Sequence, residues 1–189
     1  YRKCRSNFLP SSDKSRLDLF RAYLGEKRMT TAMYWKEITV NWGESDPFGL
    51  VYYPRIVAWF NDTEHEFFRT IGCPIDQMIK NDRTTFVMGE IHFRFIGPAS
   101  YGDRVATTIT LEKMGDHSLH WNCKAKNALT NAPVCEGRAT RIYARINEDG
   151  TLNSSIIPDK MRRAITDSGK LSHLNQDIEQ EEEYHHPQR

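Results

Sequence analysis

The chain has 189 residues, with 26 Lys and Arg against 25 Asp and Glu, a net charge of +1 and 39% hydrophobic residues, which suits one packed domain with tails. Basic and acidic residues are mixed along most of the length, so no nucleic-acid footprint or polybasic membrane patch is expected, and no apolar run approaches the ~20 residues that span a bilayer. Four scattered cysteines (Cys4, Cys73, Cys123, Cys135) with no C-x-x-C pair suit reduced, packed thiols better than a disulfide framework or zinc site, and predict a cytoplasmic protein.

Residues 1–34 are polar and basic apart from an amphipathic piece at Leu17, Leu19, Phe20, Tyr23 and Leu24. They read as an N-terminal arm and lack the basic-then-apolar order of a secretory signal. Alternation over Trp35 to Trp42, with Ile38 and Val40 on one face, predicts a first strand. From Pro54 to Ile71 the period becomes helical: Ile56, Val57, Phe60, Phe67, Phe68 and Ile71 repeat at three, four and seven. Pro54 suits a first helical position and Gly72 a C-terminal stop. A short helical turn is expected near Ile75 to Ile79.

Four strand-like runs follow. Val87, Gly89, Ile91, Phe93 and Phe95 share a face in the first, and Val105, Thr107, Ile109 and Leu111 in the second. Leu119, Trp121, Cys123 and Ala125 do so in the third, and Thr140, Ile142, Ala144 and Ile146 in the fourth. Turn-rich joints at Gly97-Pro98, Gly102-Asp103, Gly115-Asp116 and Asn131-Ala132-Pro133 separate them. Pro158 is placed to open a short closing helix. Residues 166–189, with Glu179-Gln180-Glu181-Glu182-Glu183 and little to bury, read as an acidic solvated tail. One long helix against strands that run as an antiparallel meander gives an α+β domain over residues 35–165. A partly exposed sheet face and edge strand predict oligomerisation.

The chemistry concentrates in Trp42-Gly43-Glu44-Ser45-Asp46-Pro47-Phe48-Gly49-Leu50-Val51-Tyr52-Tyr53-Pro54. A single carboxylate, Asp46, stands in a turn just before a helix start, where backbone N–H groups are free to polarise a carbonyl. Asp before Pro is also an ordinary turn residue. Glu64 and His65 lie on the long helix, but the fifth residue of His65-Glu66 is Arg69, so there is no H-E-x-x-H zinc helix and no metal is expected. His92 and His120 fall on the wet faces of strands. The cysteines lack a neighbouring base that would make a nucleophile.

The order of elements, Gly43-x-x-Asp46-Pro47-x-Gly49-x-Val51-x-Tyr53, the helix running through Trp59 to Gly72, Pro98-Ala99-Ser100-Tyr101-Gly102-Asp103 and Arg141-Ile142-Tyr143-Ala144 together resemble the hotdog fold, and within it the 4-hydroxybenzoyl-CoA thioesterase family. The resemblance implies a curved antiparallel sheet wrapped around one long central helix, and hydrolysis of an acyl-CoA or aroyl-CoA thioester. It implies Asp46 as the catalytic carboxylate, nucleophile or general base, and the Tyr53 backbone N–H as oxyanion donor, with Gly49 leaving room for the acyl group. Asn61 occupies the position where family members of the 4-hydroxybenzoyl type carry an Asp to meet the substrate hydroxyl. Glu64 is a reserve catalytic carboxylate, since some hotdog enzymes use a helical Glu. Arg141 is the candidate CoA-phosphate contact, and His117 and Ser118 stand in the hairpin that grips CoA in the family, where Asp116 replaces a useful cation. No separate cofactor is implied, because CoA is part of the substrate, and a homodimer or homotetramer is expected. Two alternatives remain: a thioesterase for acyl groups held by a carrier protein, and a non-catalytic acyl-CoA-binding module.

Overall fold

A computed structural model describes residues 32–171; the amphipathic piece at residues 17–24 and the acidic run at 179–183 lie outside the described residues. The elements are β1 (Met33–Thr39), α1 (Tyr53–Thr70), β2 (Thr84–Phe95), β3 (Arg104–Met114), β4 (Ser118–Asn127), β5 (Pro133–Ile146), β6 (Leu152–Ser154) and α2 (Asp159–Leu171). Single turns at Trp42–Glu44 and through Ile75–Gln77 into Met78–Asp82 complete them. The first strand therefore ends three residues before Trp42, and α2 runs on to Leu171, with Ile165 and Ser168 buried.

All strand pairs are antiparallel, in the order β1-β3-β4-β5-β2 with β6 on β5. The α+β class expected from the sequence holds. The expected meander holds only for β3, β4 and β5. β2 pairs with the far side of β5, so the chain crosses one end of the sheet to reach β3, and β1 and β2 are the edges. In that crossing Ile96 and Gly97 donate to Val134 O, and Val51 donates to Ala99 O at 2.8 Å. The crossing loop is thereby pinned against the segment that carries Asp46.

The ends of α1 match their sequence signals. Pro occupies one of the first two helical positions, where its missing N–H removes no intrahelical bond. At the other end Gly72 adopts φ 73°, with Cys73 N donating to Phe68 O and Gly72 N to Arg69 O, the pair of bonds that satisfies the last orphan carbonyls. Ile56, Trp59, Phe60, Thr63, Phe67 and Phe68 are buried beneath the helix against Val105, Ile109, Leu119, Trp121 and Cys123. Phe67 meets Trp121 edge-on at 5.3 Å, Phe68 stacks on Phe86 at 5.0 Å and Phe60 on Phe93 at 4.9 Å. Such aromatic pairs each add about 0.5–1.5 kcal/mol beyond their buried area. Thr63 Oγ1 and Thr107 Oγ1 lie 2.7 Å apart, which settles the helix on β3 without an orphaned hydroxyl.

β3 and β4 bury the faces their alternation predicts; β2 and β5 do not. A register shift between Met88 and Glu90 makes Gly89 a bulge, and a bulge moves every side chain before it to the other face. Val87 then pairs with Ile142, while Met88, Ile91 and Phe93 pair with Arg141, Ala139 and Gly137. In β4, Leu119, Trp121 and Cys123 pair with the same three β5 residues. The inward face of β5 is therefore Gly137, Ala139, Arg141 and Tyr143 rather than Thr140, Ile142, Ala144 and Ile146. Gly137 is required there, because a Cβ would stand 2.2 Å from His92 O and 2.4 Å from the Phe93 ring.

Candidate active site

The Asp46 segment is a small closed hairpin. Ser45 and Val51 form an antiparallel bridge, and a second bridge joins Leu50 to Ser100. Asp46 N donates to Leu50 O at 2.7 Å and Gly49 N to Asp46 O at 2.9 Å. Gly49 takes φ 78°, a conformation that a side chain would strain. The Asp46 carboxylate faces into this turn: Oδ1 accepts from Phe48 N at 2.8 Å and Leu50 N at 3.2 Å. These donors hold the carboxylate in one orientation.

Glu44 fastens the hairpin to the helix. Its Oε2 accepts from Asn41 N at 2.7 Å, its Oε1 from Trp59 Nε1 at 2.9 Å, and its carbonyl from Tyr52 N at 2.8 Å. Trp59 is buried in the second turn of α1. One side chain thus ties the turn bearing Asp46 to the helix that starts at Tyr53. Tyr53 is the first helical residue, so its N–H has no acceptor one turn back and points toward the positive end of the helix dipole. Asp46 and Gly49 thus sit in one closed turn, and Tyr53 opens the helix that follows it.

Beneath the same end of α1 lies a cavity of about 290 Å³. Pro54, Val57, Ala58, Asn61 and Glu64 line it from the helix, one stripe at spacings of three and four. Phe93, Ile109, Cys123 and Ala139 supply apolar walls, and Met88 and Ile91, both 40% exposed, border it on edge strand β2. Asp46 is not part of its lining; Pro54, next to Tyr53, is.

One end of the cavity is polar. Arg141 Nε donates to Glu64 Oε2 at 2.6 Å, its Nη2 approaches the same oxygen, and Nη2 also donates to Asn61 Oδ1 at 2.8 Å. Glu64 is 4% and Arg141 7% exposed. Burial pushes the Glu64 carboxyl above its ordinary value, opposed by the Arg141 guanidinium and the Trp121 indole N–H. Yet Glu64 Oε1 and Trp121 Nε1 are both buried without a hydrogen-bond partner among the described residues. Burial also pushes the Cys123 thiol up to about 12, which makes it an inert wall rather than a nucleophile.

The structure thus joins Asn61, Glu64 and Arg141 in one cluster. The phosphate contact expected of Arg141 does not fit this place: its guanidinium is buried in an ion pair. His117 and Ser118 are elsewhere. Val40 N donates to Asp103 O, placing the Asp46 hairpin at the start of β3, whereas residues 115–117 follow its end. Those 11 residues of strand separate the two by roughly 35 Å. Ser118 Oγ instead meets His120 Nε2 at 3.1 Å, and the hairpin is held by Arg162, whose Nη1 donates to Gly115 O. Of the lining residues the sequence singled out only Asn61, Glu64 and Arg141 as site residues. Alternation already set Ile91 and Trp121 on inward faces, and the bulge at Gly89 adds Met88 to them.

Residues 40–165 match the family model of the thioesterase-like superfamily. No curated protein sequence matches the chain significantly. Among solved structures, a 1,4-dihydroxy-2-naphthoyl-CoA thioesterase from Synechocystis superposes with a TM-score of 0.66 at 16% identity, over 71% of this chain and 96% of that one. The 4-hydroxybenzoyl-CoA thioesterase from Pseudomonas sp. strain CBS-3 does so with 0.65 at 17% identity, over 70% and 99%. A gentisyl-coenzyme A thioesterase gives 0.61 at 22% identity, over 68% and 98%. With a family model matched across two thirds of its length and these neighbours in its fold, the chain belongs to the thioesterase-like superfamily and has the hotdog fold.

Proposed function

We propose that this protein hydrolyses the thioester of an acyl- or aroyl-CoA, with Asp46 as the reacting carboxylate. The observation that carries the proposal is the fastening of the Asp46 turn to the start of α1 through Glu44 and Trp59. It holds the turn that carries Asp46 against the helix whose first turn, through Pro54, lines the cavity, which supports reading that cavity as the acyl site. The thioester carbonyl oxygen accepts from Tyr53 N–H, a contact typically worth ~3–4 kcal/mol to the transition state. Asp46 then either attacks the carbonyl carbon, expelling the CoA thiolate and leaving a mixed anhydride that water cleaves, or takes the proton of a water that attacks directly. Both routes end in the free acid and CoA. No step calls for a metal or redox cofactor.

The site is completed by a second copy of the chain. β2 is a 12-residue edge strand with exposed Met88, Ile91 and Phe95, and Trp42, Phe48, Tyr52 and Tyr53 stand exposed around the Asp46 turn. Such an edge and patch call for cover, and a partner brings its own His117 and Ser118 hairpin to a substrate that this protomer's hairpin does not reach. A panel of acyl- and aroyl-CoA esters, read by release of the CoA thiol, tests the reading. Turnover of some members supports it. Cleavage of carrier-bound acyl groups with no CoA ester turned over moves the substrate to a carrier protein, and binding of CoA esters without turnover of either makes the protein a binding module.

A further inference from the structure

The loop that crosses from β2 to β3 grips the Asp46 hairpin at both ends. At the entry, Val40 N donates to Asp103 O at 2.9 Å and Gly102 N to Val40 O at 3.0 Å, with Val40 fully buried. At the exit, Val51 N donates to Ala99 O at 2.8 Å, and Leu50 bridges Ser100. Val40 and Leu50 flank Asp46 in sequence, so a shift of the loop moves the turn from both arms.

One residue sets that loop. Asp103 N donates to Ser100 O at 3.0 Å, and Asp103 Oδ2 accepts from Ser100 N at 2.8 Å. Both backbone groups of Ser100 are thus held by Asp103, and a carboxylate accepts an N–H more strongly than a neutral oxygen does. From there the path to Asp46 is short. Ser100 is bridged to Leu50, Leu50 O accepts from Asp46 N at 2.7 Å, and Leu50 N donates to Asp46 Oδ1 at 3.2 Å. No step of it uses the Glu44–Trp59 contact that ties the hairpin to α1.

We propose that Asp103 is a positioning residue for the Asp46 carboxylate, acting through Ser100 and Leu50. This rests on Asp46 as the reacting carboxylate of a thioesterase. Asp103 is not part of the cavity lining. It fixes the direction in which Asp46 faces the carbonyl, and a reacting group displaced by about 1 Å loses on the order of 100-fold in rate.

The test compares Asp103→Ala, which removes the acceptor of Ser100 N, with Asp103→Asn, which keeps an oxygen there. On a CoA ester that the wild type turns over, Asp103→Ala should lower kcat by ~10–100-fold with KM held within ~3-fold, and Asp103→Asn should return to within ~5-fold of wild type. Solvent exchange of the Phe48 and Leu50 amide protons, the two donors to Asp46 Oδ1, is read beside it by NMR. It should rise ~10-fold in Asp103→Ala but not in Asp103→Asn, while that of Ile109 in β3 stays as in the wild type. Asp103→Glu, which keeps the charge and displaces it by one methylene, takes the place of Asp103→Ala should that variant not fold. A fall in thermal stability with kcat unchanged, a loss confined to KM, or equal losses in Asp103→Ala and Asp103→Asn overturns the inference and leaves thioester hydrolysis standing. Should the wild type turn over no CoA ester, the functional reading falls and the amide exchange decides alone: an unchanged rate in Asp103→Ala then overturns the positioning as well.

Discussion

The Glu64–Arg141 pair joins the middle of the central helix to the strand beneath it, and its removal has a calculable consequence. Arg141→Met leaves the Glu64 carboxyl, 4% exposed, without its cation and without the hydrogen bonds that cation donates. Breaking a buried pair in this way costs about 3–5 kcal/mol, whereas replacing both partners by apolar residues is often neutral or better. Against a typical stability of about 5–15 kcal/mol this is about a fifth or more of the total. Glu64→Met strands the guanidinium and should lose a similar amount, although Asn61 retains one bond to it. The double variant should return to within about 1–2 kcal/mol of wild type, giving a coupling of at least about 3 kcal/mol. Denaturant unfolding at one fixed protein concentration, followed by far-UV circular dichroism, reads all four corners of the cycle. Additive losses, or an Arg141→Met loss below about 1 kcal/mol, would refute the claim that the two charges compensate each other in a dry site.

The same carboxyl makes stability depend on pH. Its folded value is raised, chiefly by burial, above the ordinary 4.5, so the native state holds the proton more tightly than the unfolded state. Its contribution is therefore whole below about 4.5 and is lost as pH rises through the folded value, with a slope of at most about 1.4 kcal/mol per pH unit. Wild type minus Glu64→Gln, measured by unfolding from pH 4 to 8, should decline with pH; a rise would contradict the assignment. Glu44→Ala removes the acceptor of Trp59 Nε1 and Asn41 N. It should cost about 1–2 kcal/mol in unfolding free energy and lower kcat/KM for a CoA ester by ~10–100-fold through misplacement of the Asp46 turn, and an unchanged kcat/KM would show that the tether does not position the carboxylate.

Much of this molecule is written locally. Pro54, the apolar stripe and Gly72 specify α1 within a residue at each end, and clean alternation gives β3 and β4 their inward faces. β2 and β5 mislead because Gly89 inserts a bulge and because the inward side of β5 carries Gly137 and Arg141, which alternation assigns to the wet face. Strand order is not local at all: the pairing of β2 with β5 depends on contacts some fifty residues apart, such as Phe93 with Gly137. The site divides the same way. Asp46, Gly49 and Tyr53 lie within eight residues of sequence and are legible as a motif. The ion pair of Glu64 with Arg141 spans 77 positions, and the cavity end it forms follows only from the corrected phase of β5.

The central claim is that the Asp46 carboxylate does the chemistry. The most direct measurement is kcat/KM of wild type and Asp46→Asn on the best CoA ester of the panel, with folding verified by circular dichroism. Asn keeps the side-chain oxygen that accepts from Phe48 N and Leu50 N, so the turn survives while nucleophile and base are lost. The account predicts a fall of at least ~10²–10⁴-fold, the usual contribution of a positioned acid–base group. Equal turnover by the two proteins would contradict it.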